Sequence, residues 1–108
     1  MKQAPAIETR PLKRLKQMLS SGNIWLYLLS TIKKQKEAYA YNLNDKIEKI
    51  FKFKPGRVMV YIVLYRLENE KLIKSSFRDR RKYYRITEKG EETLKSAKQL
   101  LLLLSKRI

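Results

Sequence analysis

Arg57 and Arg66 sit among Tyr61, Tyr65 and a run of aliphatic residues in RVMVYIVLYRLENE, and Arg78, Arg80, Arg81 and Lys82 follow in a stretch that also holds Tyr83, Tyr84 and Arg85. Cations interleaved with aromatic rings suit the binding of a polyanion rather than the breaking of a bond. The planar arginine fork can bond guanine O6 and N7 together, so Arg57, near the start of a helix-like run, is the candidate base reader. Tyr61 and Tyr65 suit a phosphate or a thymine methyl; for Tyr61, aromatic packing in the core is the equal alternative. Arg78, Arg80, Arg81 and Lys82 suit phosphates or a narrow A·T minor groove, their plain reading being a solvated hairpin tip. Arg66 joins the set as a second cation of the helix.

The whole composition agrees with that chemistry. Twenty-six Lys and Arg oppose 10 Asp and Glu, a formal charge of +16 on 108 residues. Solubility alone needs a magnitude of only about 2 to 8. A charge of this size attracts polyanions, and duplex DNA is the expected partner. Cys and His are both absent, which excludes disulfides, thiolate and imidazole metal sites, Cys-His and Ser-His catalysis and a histidine pH switch. The acidic residues are scattered, mostly beside lysines, and form no carboxylate pair or phosphate loop. An enzyme is therefore not expected, nor is any cofactor. No segment reaches the roughly 18 apolar residues of a membrane span, and residues 1–11 lack the apolar core of a signal peptide. A cytoplasmic location without membrane contact is expected.

The elements that must position these side chains can be read from periodicity. Residues 1–11 carry Pro5 and Pro11 and no period, which predicts a flexible basic arm with Lys2 and Arg10. One domain is expected over 12–108. Leu12, Leu15 and Leu19 recur at helical spacing; Ser20 to Asn23 interrupt, Gly22 suiting a C-terminal cap and Asn23 an N-terminal one. Ile24 to Ile32 is apolar on nearly every side, with Trp25, Leu28, Leu29 and Ile32 expected inward and Leu26 and Tyr27 needing cover. An amphipathic helix is expected over Ala38 to Phe51, with Leu43, Ile47, Ile50 and Phe51 on its inner stripe. Pro55-Gly56 then turns the chain into a helix at about 56–70, held inward by Val60, Val63, Leu64 and Leu67.

Two strands follow at about 72–86, joined by the basic Arg78 to Arg81, with Tyr84 and Ile86 inward and Tyr83 and Arg85 outward. Thr87 suits the N-cap of a last helix at about 88–107, followed by Glu88, Glu91 and Glu92. Leu94, Ala97, Leu101, Leu104 and Ile108 recur there in an a/d rhythm, and five consecutive leucines run from Leu100 to Leu104. One surface cannot bury them all in a monomer. A homodimer through this helix, with Trp25 and its neighbours packed nearby, is expected. The fold class is therefore mainly α with a small β-hairpin, a winged helix-turn-helix with an extra N-terminal helix and a long C-terminal dimerisation helix.

Several motifs carry a family resemblance from about Ile24 to Leu94. Tyr39-Ala40-Tyr41-Asn42-Leu43 resembles the Tyr-Gly-Tyr-x-Leu of PadR-type transcriptional regulators, with Ala40 in place of Gly. Pro55-Gly56, Tyr61, Leu64, Arg66 to Glu70 and Leu72-Ile73 resemble the recognition helix and its exit, with Lys71 where Gly is common. Arg80 to Gly90, RRKYYRITEKG, is similar to the family's wing and final-helix start. The resemblance implies a dimeric regulator whose C-terminal helix packs against the N-terminal helix of its partner, of the short branch without a separate effector domain. It would act as a repressor on a palindromic operator, reading sequence with its recognition helix and gripping phosphate or minor groove with its wing. An architectural protein that coats DNA without reading it, or a winged-helix module for RNA or protein, is the alternative. A small-molecule effector in an apolar pocket formed by Trp25, Tyr27, Leu28 and the C-terminal leucines has no support beyond the apolar character of those residues.

Overall fold

In the computed structural model, which describes residues 7–108, the helical periods of the sequence become five helices, four of them contributing to one apolar centre. The first, α1, spans Arg10–Leu19; it is capped by Thr9, whose side chain accepts from the Leu12 amide at 3.4 Å, and has Pro11 in its first turn. The helix thus begins inside the stretch expected to be an arm, and Lys2 lies outside the described residues. A 3-10 turn over Ser21–Asn23 leads into α2, Ile24–Gln35. Here Ser20 rather than Gly22 closes α1, its amide bonding the Gln17 carbonyl. Asn23 precedes α2 without capping it; its side chain donates back to the Met18 carbonyl and accepts from Trp25 Nε1 at 3.2 Å.

A short strand, β1 (Ala38–Tyr39), stands before α3 (Ala40–Phe51), so the helix expected from Ala38 starts two residues later. The reason is pairing: Ala38 lies opposite Tyr84 and Tyr39 opposite Tyr83, giving the hairpin a third strand. Recognition-type helix α4 spans Arg57–Asn69, strands β2 and β3 are Ile73–Arg78 and Arg81–Ile86, and α5 is Glu88–Arg107. The antiparallel sheet has the order β1-β3-β2. Pairing runs out to Arg78 opposite Arg81, which leaves only Asp79 and Arg80 as the tip, with φ of 50° and 65°. Two successive positive φ values make the tight mirror-image turn whose twist matches the strands.

Leu28, Leu29 and Ile32 of α2, Leu43 and Ile47 of α3 and Leu64 of α4 are fully buried, with Val60, Leu67, Ile73, Tyr84 and Leu94 around them. Each such side chain contributes about 1.5 to 3 kcal/mol by leaving water. Trp25, Val63 and Phe51 pack on the rim of this core, whereas Ile50, expected on the α3 inner stripe, is 40% exposed. The α4 exit is a Schellman turn: the Leu72 amide bonds the Leu67 carbonyl and the Lys71 amide that of Glu68. Lys71 takes the left-handed position there, with φ of 64°. Thr87 caps α5, its hydroxyl oxygen accepting from the Gly90 amide at 3.0 Å and donating to the Lys71 carbonyl.

Helices α1 and α5 each leave an apolar face without cover within the chain. On α1, Leu15, Met18 and Leu19 are 50%, 55% and 41% exposed; on α5, Leu100 to Leu104 range from 41% to 65%.

Candidate nucleic-acid interface

Helix α4 is aimed by its first turn. Buried Asn44 on α3 accepts a hydrogen bond from the Gly56 amide at 2.8 Å, and Gly56 has φ of 92°, so the chain pivots there into Arg57. The Arg57 side chain then lies over the Tyr41 ring, 4.6 Å from its centroid. Tyr41 stacks on Tyr39 at 5.9 Å; Tyr39 in turn meets Tyr83 at 5.8 Å and carries Arg81 at 5.0 Å. A continuous series of rings and guanidinium groups thus joins the start of α4 to the outer half of the hairpin. Each exposed cation–ring contact contributes about 0.5 to 1 kcal/mol.

The α4-facing side of the hairpin closes a groove of about 430 Å³ lined by Tyr61 and Tyr65 on one wall and Phe77, Arg80, Arg81 and Lys82 on the other. Tyr61 is 49% exposed, which resolves its two readings in favour of the surface. Glu68 ties the walls together, accepting from Ser75 Oγ at 2.5 Å and lying 3.5 Å from Lys82 Nζ. On the opposite side of the sheet Glu37 accepts from Arg78 at 2.5 Å and from Arg85 at 3.3 Å. The Arg78 hydrogen bond holds the Glu37 carboxyl below the usual range, with the charges of Arg78 and Arg85 adding to the effect. Arg78 also covers the Tyr83 ring at 4.3 Å.

The expected site residues therefore divide. Arg57, Tyr61, Tyr65, Arg80, Arg81 and Lys82 share one side of the molecule. Arg78, directly opposite Arg81 in the register, is set apart by its ion pair with Glu37. Arg66 lies on the far flank of α4, beside Trp25, Met59 and Glu70 around a shallow groove at the start of α2. Among the described residues, Arg57, Arg80 and Arg81 have no carboxylate within ion-pairing distance, unlike Lys82 and Arg78. Sequence reading missed Tyr39, Tyr41, Glu37 and Glu68. Alternation of Tyr39 and Tyr41 across a short strand end was a usable signal for the first two; no local signal marks the two acids.

The expected dimerisation residues also divide. Leu101, with Leu102 and Leu94, lines an open groove of about 810 Å³ against Leu26, Tyr27 and Phe51. Leu104 and Ile108 continue outward along α5, 54% and 96% exposed. Trp25 is turned away from them, to the α4 flank, and Leu28 is fully buried, so neither lines the apolar groove expected of them. No group of His, Cys, Asp and Glu suited to a metal ion occurs among the described residues, and none of the described helices is long and apolar enough to cross a membrane.

Helices α2, α3 and α4 ahead of the β2–β3 wing, with α4 presented beside that wing, define a winged helix-turn-helix protein. Residues 28–96 match the model of the PadR-like family of transcriptional regulators. The chain belongs to that family. It is similar to a PadR-like transcriptional regulator from Bacillus cereus, with 36% identity over 84% of this chain and 91% of that one and a TM-score of 0.71. A PadR family transcription regulator from hypervirulent Clostridium difficile aligns at 28% identity over 79% of this chain and 93% of that one, also with a TM-score of 0.71. A winged-helix DNA-binding protein from STIV shares the fold at 18% identity, over 76% of this chain and 89% of that one, with a TM-score of 0.66. No curated protein sequence matches the chain.

Proposed function

We propose that the protein is a homodimeric repressor that binds palindromic duplex DNA, with α4 in the major groove and the β2–β3 wing on the flanking backbone or minor groove. One observation carries this reading: three cations without an ion-pairing carboxylate among the described residues, Arg57, Arg80 and Arg81, converge on the side of the fold where Tyr61 and Tyr65 are exposed. Arg57, at the N-terminus of α4, is where a helix-turn-helix reads base edges. Arg80 and Arg81, at the wing tip, meet phosphate. Two exposed leucine faces, on α1 and α5, support a dimer in which α5 of one protomer covers α1 of its partner. Two α4 helices would then engage half-sites about one turn apart.

Binding of duplexes selected from a random pool, followed by fluorescence anisotropy over a range of salt, tests it. Arg57→Ala is expected to cut the preference for selected over random duplex, by about 1 to 3 kcal/mol if a bidentate guanine contact is lost. Arg80→Gln with Arg81→Gln should weaken both duplexes alike and lower the salt slope by about two. Equal wild-type affinity for selected and random duplex would leave a DNA-coating protein, and preference for structured RNA an RNA module.

A further inference from the structure

Helix α4 is apolar on two sides. Val60, Leu64 and Leu67 hold it to the core, and on the opposite side Val58, Ile62 and Tyr65 form a second stripe at 73%, 39% and 68% exposure. Neither the fold nor solubility accounts for aliphatic side chains there. Arg57 starts the same helix, and the Arg80–Arg81 wing tip stands beside its Tyr61–Tyr65 flank. The stripe thus calls for a partner that is apolar at the point of contact and anionic around it. The major groove of DNA has that pattern, because thymine C5-methyl groups project into it between two rows of phosphates.

We propose that Val58 and Ile62 are specificity-determining residues that seat on thymine C5-methyl groups, so that each half-site carries thymine at the positions facing them. The inference rests on the DNA-reading function proposed above and adds what the helix reads besides guanine. Four residues of helix advance about 6 Å, or about two base-pair steps, so the two contacts fall on thymines about two base pairs apart.

Deoxyuridine separates the methyl from everything else, since it removes the C5-methyl and leaves pairing and phosphate charge unchanged. Duplexes selected by the wild-type protein are resynthesised with uracil at each thymine in turn. At one or two positions per half-site the wild-type affinity is expected to fall about fourfold per methyl removed. Val58→Ala and Ile62→Ala should bind the thymine duplex about as weakly as wild type binds the uracil one, each losing the penalty at its own position. Both side chains are exposed, so the variants should keep the wild-type circular dichroism and melting midpoint. Wild-type affinity indifferent to uracil at every position, or an undiminished penalty in both variants, overturns the inference while a selected sequence upholds DNA reading. If no sequence is selected at all, the underlying function fails and this inference with it.

Discussion

The Arg57 guanidinium carbon lies 4.6 Å from the centroid of the Tyr41 ring, and its Nη2 reaches the Tyr41 hydroxyl at 3.5 Å. A long side chain at the first residue of α4 is therefore held by the helix before it. Because Tyr41 stacks on Tyr39, which carries Arg81, Arg57 and Arg81 are positioned by one series of contacts. Tyr41→Ala should leave the fold intact, since the ring is 50% exposed, and cost no more than about 1 kcal/mol of stability. Its expected effect is on discrimination: the ratio of affinities for selected and random duplex falls toward that of Arg57→Ala. Tyr41→Phe, which keeps the ring, should retain most of the ratio. Anisotropy titrations of the three variants measure this.

Glu37 sets the other side of the wing. Its carboxylate pairs with both Arg78 and Arg85, and the Arg78 hydrogen bond above all lowers its pKa. A lowered folded-state pKa means that the contribution is complete above the ordinary glutamate value of about 4.3 and is lost as the pH falls through the lowered value. Amide-exchange protection across the Arg78–Arg81 end of the hairpin should thus fall on acidification below that ordinary value. Glu37→Gln should show weaker protection at neutral pH and a smaller change with acid. The same variant frees two arginines for phosphate, so its affinity for any duplex should rise and its salt slope steepen by up to about two.

Gly90 fits a space that no other residue can share. A Cβ there would come within 2.1 Å of the Leu72 carbonyl oxygen and 2.7 Å of Ile86 Cγ1. That oxygen already accepts the Thr87 amide at 3.0 Å, so it cannot retreat without unseating the α5 cap. Gly90→Ala should therefore destabilise by at least about 3 kcal/mol, the upper end for an overfilled site. Urea unfolding followed by circular dichroism gives the value, and a loss below about 1 kcal/mol would mean that α5 can slide away from the α4–β2 corner.

Most of the architecture was legible because it is periodic. Leu28, Leu29, Ile32, Leu43, Ile47, Val60, Leu64 and Leu67 declare their helices by spacing alone, and Thr87 with its following glutamates marks the start of α5. Lys71, standing where glycine is common in the family, occupies a left-handed position that makes sense of that preference. What stayed hidden depends on contacts between distant parts of the chain. Ala38–Tyr39 is a strand only because β3 passes beside it, and a two-residue strand has no period. Arg78 and Arg81 face each other across the hairpin, but only Arg78 is held by an acid, Glu37, while Arg81 lies over Tyr39, and nothing local in the sequence separates them. Trp25 is separated from the C-terminal leucines by the rotation of α2, which a stretch apolar on nearly every side does not reveal.

The exposed leucine face of α5 carries the proposed dimer. Leu101 and Leu104 are 41% and 54% exposed, on a helix whose last turns extend past the core in a molecule 48 Å long and 25 by 24 Å across. Replacing both by lysine removes the apolar stripe and adds charge to a protein already at +16, which opposes any self-association there. Wild type is expected to sediment at twice the 13.0 kDa of the chain, and Leu101→Lys with Leu104→Lys at the monomer mass with unchanged circular dichroism. The consequence for DNA separates assembly from contact. Affinity for a two-half-site duplex should fall by at least about a hundredfold as the gain from linking two binding events is lost. Affinity for a single half-site should stay within about twofold, apart from a small electrostatic gain from the added lysines. A wild-type protein that sediments as a monomer would transfer the binding function to one copy of α4 and leave the α1 and α5 leucines to another partner.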